Sequence, residues 1–249
     1  EQFEGRVVAE LVAYSAINEV IFLMLAGSDP GYALLGSGST GRLPKKADLN
    51  FHGSPIMWSN DVTIMLQDLD ALLPQLFPSH ALWRQVLSSR SVPESAIDSY
   101  LGLWSDMQDS DGVSWNKGLE PLNLPSGHKY LNGFAQNDKV LELIFATDKA
   151  LLAHLLAISD VNASTDTNLF NSPDLLIRSI LDASTAQEMI DRRNLGDLSV
   201  ADLRRLLPKK PWFDGQFSPY SGRLTIRVTI PRDGNVWQEQ VMVNLRPTL

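Results

Sequence analysis

Apolar residues recur at three- and four-residue intervals near the start of the chain, from about Arg6 to Ala26. This spacing places them on one side of an α-helix and predicts a helix over this range. The simpler interpretation is a helix that packs on a core; the second is a spine helix that continues from a membrane segment upstream of Glu1. The best candidate span, Val20–Ala26, is much shorter than the roughly eighteen residues that a membrane helix needs. The pattern therefore predicts no membrane span within these residues.

Alternation of apolar and polar residues, which is typical of half-buried strands, occurs near both ends of the chain. It predicts short strands at Leu49–His52 and Asp61–Leu66. It also predicts a hairpin whose strands are Arg223–Ile230 and Val236–Leu245, joined by a four-residue turn at Pro231–Gly234. Because the long region between the two ends is helical in pattern, we expect strands from both ends to share one sheet.

Helical spacing returns between Asp68 and Pro211, with capping signals at several predicted helix ends. The predicted helices are Ser79–Leu87, Pro93–Asp106, Asp138–Phe145, Lys149–Ile158, Asp174–Leu181, Ser184–Arg193 and Val200–Leu207. Ser172, Ser184 and Ser199 are the expected caps, with Pro173 in a first turn and Gln187 completing a capping box with Ser184. The layout predicts an α+β chain in which residues 68–211 form an inserted helical domain and residues 1–67 and 212–249 form the other domain.

Composition narrows the class of protein without identifying it. The chain has 249 residues, 44% of them hydrophobic, and a net charge of −8, which fits a folded soluble protein. The negative charge argues against a protein that holds a polyanion by charge alone. The absence of cysteine excludes disulfides, thiolate zinc sites and cysteine nucleophiles.

Motifs of the common catalytic classes are missing or lie in the wrong context. The stretch Gly36–Gly41 matches G-x-G-x-x-G, but it follows a helix and runs into Arg42–Lys46 instead of opening a helix after a strand. Histidines are scattered singly, and neither a nucleophile elbow nor a P-loop occurs. We therefore expect no enzymatic activity.

Four carboxylates lie close together in the middle of the chain: Asp106, Asp109, Asp111 and Glu120. Such a cluster is self-repelling unless a cation joins it, and calcium accepts flexible oxygen ligands of this kind. An EF-hand is excluded, because loop position twelve counted from Met107 is Gly118 and not a glutamate. A solvated acidic loop remains the alternative to a cation site.

An ordered series of short motifs carries a resemblance to a known family. The series is Val62–Asp68 with Leu72-Leu73, Asp106–Asp111 with Gly118–Glu120, Tyr130–Phe134 with Glu142-Leu143, Asn168–Pro173, Leu198–Leu203 and Ser218–Tyr220. In this order the motifs resemble those of K-type minor pseudopilins (the GspK family) of the bacterial type II secretion system. The sequence departs from the pattern at Met107, Leu119 and Leu131, where the family has Trp, Ala and Arg.

The resemblance implies a pilin-like N-terminal helix on a small antiparallel sheet, with a large all-helical insertion made of two related segments that are SAM-like or helix-hairpin-helix-like. It implies a structural protein at the tip of the pseudopilus, which assembles with I- and J-type minor pseudopilins for protein export. The expected location is the periplasm, as part of a protein anchored in the inner membrane by a helix upstream of Glu1.

The resemblance also implies bound calcium, with Asp109, Asp111 and Glu120 as ligands and Asp106 as a weaker candidate. Expected partner contacts lie on the first helix, at Val7, Leu11, Val20 and Met24, although some of these must pack on the protein's own sheet.

A helix-hairpin-helix nucleic-acid-binding protein is the main alternative. The basic pairs that favour it are Arg192-Arg193, Arg204-Arg205 and Lys209-Lys210. The turns lack paired glycines and the helical region has an acidic surplus, so we expect these pairs to be a solvated helix face and expect no nucleic-acid partner. A hydrolase with dispersed catalytic residues ranks third, since no nucleophile or base can be named.

Overall fold

The computed structural model describes residues 2–26, 49–59, 61–76, 78–108, 138–165, 167–207, 221–232 and 235–245. Within these ranges the elements are α1 (Gln2–Ala26), β1 (Ile56–Ser59), β2 (Val62–Asp68), β3 (Leu73–Pro74), α2 (His80–Ser89), α3 (Glu94–Gln108), α4 (Lys139–Ile144), α5 (Lys149–Ile158), β4 (Ser159–Asp160), α6 (Asp174–Ile180), α7 (Ala183–Asn194), α8 (Val200–Leu206), β5 (Arg223–Arg232) and β6 (Asn235–Asn244). Short 3₁₀ turns lie at Leu69–Ala71 and Leu169–Asn171.

Strands from the two ends of the sequence share one antiparallel sheet, in the order β1-β2-β5-β6. Strands β2 and β5 pair from Thr63↔Thr229 to Asp68↔Leu224, which confirms the prediction that the two ends meet. The hairpin of β5 and β6 is also confirmed, but its turn is shorter than predicted. Pairing continues as far as Arg232↔Asn235.

The predicted strand at Leu49–His52 does not form; the segment makes a single antiparallel bridge, His52↔Gln67, and the strand lies instead at β1. The Asn50 side chain donates to the Ser54 carbonyl oxygen and accepts from the Ser54 amide, both at 3.1 Å, so this segment turns instead of extending. Gly53 has a φ of 77°, and a Cβ there would lie 2.7 Å from Gln67 Oε1. The turn therefore requires glycine at this position.

Serine and aspartate residues cap the N-termini of several helices, at positions that the spacing predicts only in part. Ser199 caps α8, as predicted, and accepts from the Asp202 amide; the full capping box that it forms with Asp202 was predicted instead at Ser184 and Gln187. Ser184 is not a cap, because Asp182 lies just before α7 and accepts from the Thr185 amide. Ser172 is also not a cap; its hydroxyl donates to the carbonyl oxygen of Ala71.

One hydrophobic core lies between α1 and the sheet. Alternate residues of β2 and β5 face α1, so that Ile64, Leu66 and Ile226 are fully buried. The helix approaches this face with small residues, including Ala13, which is also fully buried. Small side chains on this face allow the helix to lie close to the sheet.

A second hydrophobic core lies within the helices and spans Leu73 to Leu207. At its centre Trp83 and Trp104 meet edge to face, with ring centroids 4.4 Å apart. Their indole nitrogens donate to the carbonyl oxygens of Pro74 and Gln75, at 3.1 and 3.2 Å. Both rings are therefore buried without an unpaired N–H. The described residues thus form two hydrophobic cores, one on the sheet and one among the helices. The division into domains at residues 68 and 211 stays a prediction.

Helix α1 is long and apolar enough over Gly5–Leu25 to cross a membrane, with a mean hydropathy of 1.7. The prediction of no membrane span rested on the lack of an unbroken apolar run, which Glu10 and Glu19 interrupt; by mean hydropathy the window nevertheless reaches the level of a membrane helix, so the absence of a span stays a prediction. The same test is met by core helices, and 33% of the most apolar window is buried in this fold.

Candidate functional site

Helix α1 carries apolar residues on two opposite faces. An inner stripe is buried and consists of Ala9, Ala13, Ala16, Val20 and Met24. An outer stripe, on the opposite side of the helical wheel, is exposed and consists of Val7, Leu11, Tyr14, Phe22 and Leu25. Residues spaced by three or four positions lie above one another, so the inner set forms a continuous strip along the helix. The outer set forms two apolar patches, one of Val7, Leu11 and Tyr14 and one of Phe22 and Leu25, with the exposed Asn18 between them.

The outer stripe is unusual because its side chains are large. Leu11, Tyr14 and Phe22 are 63%, 68% and 66% exposed. Single exposed apolar residues are normal on protein surfaces, whereas neighbouring large apolar side chains that form a patch, such as Val7, Leu11 and Tyr14, mark an interaction site. A helix that is apolar on both sides is typical of one buried in a larger assembly or in a membrane.

Two tryptophan side chains of the sheet contact α1, one near each end of the helix. Near one end of the helix, the guanidinium of Arg6 lies over the ring of Trp237 in β6, 5.4 Å from its centroid. Near the other end, Trp58 of β1 donates its indole N–H to Glu19 at 3.0 Å. Because the two tryptophans lie on opposite edge strands, they fix the rotation of α1 that keeps the outer stripe exposed.

The predicted partner-binding residues lie on two different faces. Val7 and Leu11 belong to the exposed outer stripe. Val20 and Met24 pack into the protein's own sheet core at 0% and 5% exposure, so the prediction of partner contacts at these two positions is corrected: their apolar surface is already covered. Sequence reasoning missed Tyr14, Phe22 and Leu25, although their spacing from Val7 and Leu11 was a usable signal.

A buried carboxylate joins the sheet to the helical part. Asp68, at the end of β2, accepts from the Asp70 amide at 3.1 Å, from the side-chain amides of Asn168 and Asn171 at 3.1 and 3.0 Å, and from the amide of Ser221 at 3.3 Å. The Ser221 hydroxyl also donates to it. Burial raises the pKa of Asp68, and the hydrogen bonds from Ser221 and Asn171 partly oppose this shift.

An ion pair lies beside this carboxylate. Arg223, at the start of β5, donates from Nε and Nη2 to Asp70 Oδ1 at 3.1 and 2.5 Å. Its Nη2 also donates to the carbonyl oxygen of Asn162 at 2.6 Å. We call Asp68, Asp70, Asn168, Ser221 and Arg223 the joint. All its contacts are donor–acceptor pairs that hold two parts of the protein together, which is a structural role.

Of the predicted calcium ligands, only Asp106 lies in the described residues. It is fully buried in the last turn of α3, and Asp109, Asp111 and Glu120 lie outside the described residues. In the ranges that the structure describes, no group of three or more His, Cys, Asp or Glu residues is placed to hold a metal ion. As a buried carboxylate at a helix end, Asp106 has the donor chemistry of a calcium ligand.

The basic pairs of the nucleic-acid alternative are largely engaged with carboxylates. Arg192 pairs with Asp202 at 2.5 Å, and the buried Arg193 pairs with Asp174. Arg205 pairs with Glu188 at 2.6 Å. Lys209 and Lys210 lie outside the described residues.

Three of the four histidines are described, and each hydrogen-bonds a serine. His52 Nδ1 lies 2.9 Å from Ser54 Oγ, and His154 Nε2 lies 3.1 Å from Ser179 Oγ. Burial lowers the pKa of His52 to about 4, and the nearby Arg193 contributes to the shift. His80 lies 3.0 Å from Ser105 Oγ, and His128 is outside the described residues.

Comparison with known proteins bears on the fold. No family model matches the sequence, and none of the curated proteins matches it. Five chains of solved structures do match. One is a chain of the crystal structure of the GspK-GspI-GspJ complex from the type 2 secretion system of enterotoxigenic Escherichia coli, with a TM-score of 0.54 and 14% identity.

The match covers 99% of this chain and 95% of that chain. The two proteins share a fold. The predicted fold class, a pilin-like N-terminal helix on a small antiparallel sheet with several further helices, is thereby confirmed. At this identity the likeness concerns the fold alone.

Proposed function

We propose that this protein is a K-type minor pseudopilin, a structural protein at the tip of a type II secretion pseudopilus that assembles with I- and J-type minor pseudopilins for protein export. Two observations support the proposal. The fold is shared, over nearly the whole length, with a chain of the GspK-GspI-GspJ complex. The first helix also exposes large apolar side chains, which partner helices could cover.

The outer stripe is the observation that carries the proposal. In a monomer, large side chains such as Tyr14 and Phe22 gain nothing from exposure, because burying apolar surface is favourable by about 25 cal/mol per Å². A parallel bundle with partner helices removes this surface from water. The opposite, inner stripe stays on the protein's own sheet, so partner helices have one face of α1 available to them.

The test is copurification of this protein with the I- and J-type pseudopilins of the same secretion system. We expect a stable complex of the wild type, and a loss of binding of about tenfold or more for Leu11→Lys and Phe22→Lys, since each places a charge in a buried apolar contact. Met57→Lys is the matched control, because Met57 is equally exposed, at 68%, but lies on β1.

Three outcomes would contradict the proposal. The first is a failure of the wild type to associate with both partners at near-physiological salt. The second is association that Leu11→Lys and Phe22→Lys leave unchanged. The third is a loss of binding in Met57→Lys equal to that in the stripe variants, because the stripe would then not be the contact.

The same proposal includes an envelope location, with the folded part in the periplasm and an anchor in the inner membrane. The proposed anchor is a helix upstream of Glu1 that α1 would continue, and its support is the shared fold together with the apolar character of Gly5–Leu25. Fractionation of cells that express the full-length gene product checks it. Recovery in the cytoplasmic fraction contradicts it.

We further propose that calcium binds the acidic segment through Asp109, Asp111 and Glu120, with Asp106 contributing from the end of α3. The support is the closeness of four carboxylates in the sequence and the donor chemistry of Asp106. We expect chelation to lower the melting temperature of the wild type, and Asp109→Asn with Asp111→Asn to abolish both the shift and calcium binding by calorimetry. Asp61→Asn, an exposed carboxylate just before β2, is the control.

A structural role also means that we propose no catalytic site. Each described histidine is hydrogen-bonded to a serine, and the proposal assigns a structural role to these pairs. A broad hydrolase screen of the purified protein tests this, and turnover that survives repurification contradicts it.

A further inference from the structure

A cleft separates the sheet from the helical part on the side of the sheet that faces away from α1. Its volume is about 240 Å³. One wall consists of outward-facing residues of the sheet, including Thr225 and Arg227 of β5 and Gln240 of β6. The other wall is the end of α5 with β4, including Ser159 and Asp160. It is smaller than the 300–1,000 Å³ typical of drug-sized ligands, so it has room for a side chain and its adjacent backbone.

Arg227 is the cation of the cleft. Its Nε donates to Gln240 Oε1 at 2.9 Å, and its Nη atoms have no ion-pair partner among the described residues. By contrast, Arg223, four residues earlier on the same strand, is fully engaged in the joint. A half-buried guanidinium with free terminal N–H groups is suited to a carboxylate, which it can bind through two parallel hydrogen bonds.

Asp160 on the opposite wall does not pair with Arg227. Its Oδ1 accepts from the Asn162 amide at 2.7 Å and from the Asn162 side chain at 3.0 Å. A ligand between the two walls therefore meets a cation on one side and an acceptor on the other. An extended peptide with a carboxylate offers this combination, since its backbone N–H groups are donors.

The remaining lining favours a peptide over other small ligands. Met65, Leu72 and Leu156 supply apolar surface, and Gln240 supplies a side-chain amide that can pair with a backbone. No aromatic ring lines the cleft apart from the imidazole of His52, so the stacking platforms that bases and sugars use are missing from the described lining.

We propose that this cleft binds a short extended peptide segment through its carboxylate, with Arg227 as the carboxylate ligand. The carboxylate can come from an acidic side chain or from the C-terminus of a peptide. The inference does not rest on the proposed role in secretion, because the cleft lies on the face of the sheet opposite α1 and uses none of the outer stripe.

The experiment is an NMR titration of the whole protein with three peptides. They are acetyl-Ala-Glu-Ala-amide, acetyl-Ala-Ala-Ala with a free carboxylate, and acetyl-Ala-Gln-Ala-amide. We expect saturable shifts of the backbone amides of Gly53, Gln67, Ser159 and Thr225 with at least one carboxylate peptide, and about tenfold weaker binding of the glutamine peptide. Which carboxylate peptide binds identifies the source of the carboxylate.

Arg227→Gln is the decisive variant, since glutamine keeps a hydrogen-bond donor towards Gln240 but has no charge. We expect it to reduce the affinity of the carboxylate peptide to that of the glutamine peptide. Arg204→Gln, on an exposed face of α8, is the matched control and is expected to leave both affinities unchanged. Unsaturable shifts with both carboxylate peptides, equal binding of the glutamine peptide, or full affinity in Arg227→Gln would each overturn the proposal.

Discussion

Asp68 receives hydrogen bonds from donors that are 100 and 153 residues further along the sequence. At the residue scale this carboxylate is the point at which the sheet, the Leu169–Asn171 turn and the start of β5 meet. A carboxylate suits the position because both of its oxygens only accept when ionised, and its hydrogen-bond partners donate to it. Nothing in the local sequence around Val62–Asp68 marks these partners, so the network was not predictable from spacing.

Asp68→Asn is predicted to lower the free energy of unfolding by about 2–4 kcal/mol. The reason is that an asparagine NH₂ replaces one acceptor oxygen and faces the donors of Asn168, Asn171 or Ser221. Urea denaturation measures the change, and Asp61→Asn is the control for removing an exposed negative charge. Equal stabilities of the two variants would contradict a stabilising role for the network.

His52 is predicted to make stability depend on pH. Because burial lowers its pKa from 6.5 to about 4, the unfolded state binds more protons at this residue between those values. The free energy of unfolding therefore falls as the pH drops from about 6.5 towards 4, and is unaffected by His52 above that window. His80 and His154 have lowered pKa values as well, so the contribution of His52 must be isolated.

Comparison of wild type with His52→Gln isolates it. We expect the stability of the variant to decline less between pH 6.5 and pH 4, measured by thermal melts at several pH values. Parallel curves for the two proteins would show that His52 does not titrate in this window.

At the element scale, helix α1 shows how much periodicity can and cannot reveal. Three- and four-residue spacing predicts the helix, and the bounds of α5 agree with prediction at Lys149–Ile158. Spacing does not show which of two apolar faces meets the sheet, and for this reason Val20 and Met24 were placed with Val7 and Leu11. The deciding information is side-chain size, since the alanines of the inner stripe mark the face that approaches the sheet closely.

Loops and short strands were less predictable for a different reason. The segment Leu49–His52 alternates as a strand does, but the side chain of Asn50 competes for backbone groups of Ser54 and turns the backbone. Likewise Ser184 and Asp182 are both acceptable caps, and only the path of the backbone selects Asp182. The local sequence is compatible with either conformation of the loop and with either cap, and tertiary packing determines which one forms.

Ala13→Leu is predicted to destabilise the fold by about 1–3 kcal/mol, because Ala13 is fully buried against the sheet and the added volume has no space. Val8→Leu, at a position that is 42% exposed, is the matched control and is expected to change stability little. Chemical denaturation distinguishes the two. Equal effects would mean that the inner stripe tolerates larger side chains and does not set the distance of α1 from the sheet.

At the scale of the whole molecule, two hydrophobic cores are coupled through a polar joint. The sheet core and the helical core are separate clusters of buried residues, and Asp68, Asp70 and Arg223 bridge the parts that contain them. Each charge-assisted hydrogen bond between the two parts is strong, but there are few of them among the described residues, so the loss of one residue of the joint weakens the coupling of the two cores. The two parts are therefore expected to unfold together only while the joint is intact.

Arg223→Gln is predicted to split the thermal transition. The variant loses the ion pair with Asp70, which costs about 1–3 kcal/mol of coupling, and the helical and sheet parts then melt at different temperatures. Calorimetry gives the number of transitions, and Arg227→Gln, on the same strand, is the control. A single transition at a lower temperature would show that other contacts suffice to couple the parts.

The joint also has a kinetic consequence. Asp68, at the end of β2, and Ser221, just before β5, are separated by an interval of 153 residues in the sequence. Strands β2 and β5 can therefore pair only after the backbone closes a long loop, and such non-local pairings form slowly. If the helices collapse first, they bring the two ends of that interval within a hydrogen bond of each other and most of the entropic cost of closure is already met. We therefore expect the sheet to form last. The folded helices between its strands would hold the two ends of the protein close together, so that β2 and β5 can pair in the correct register.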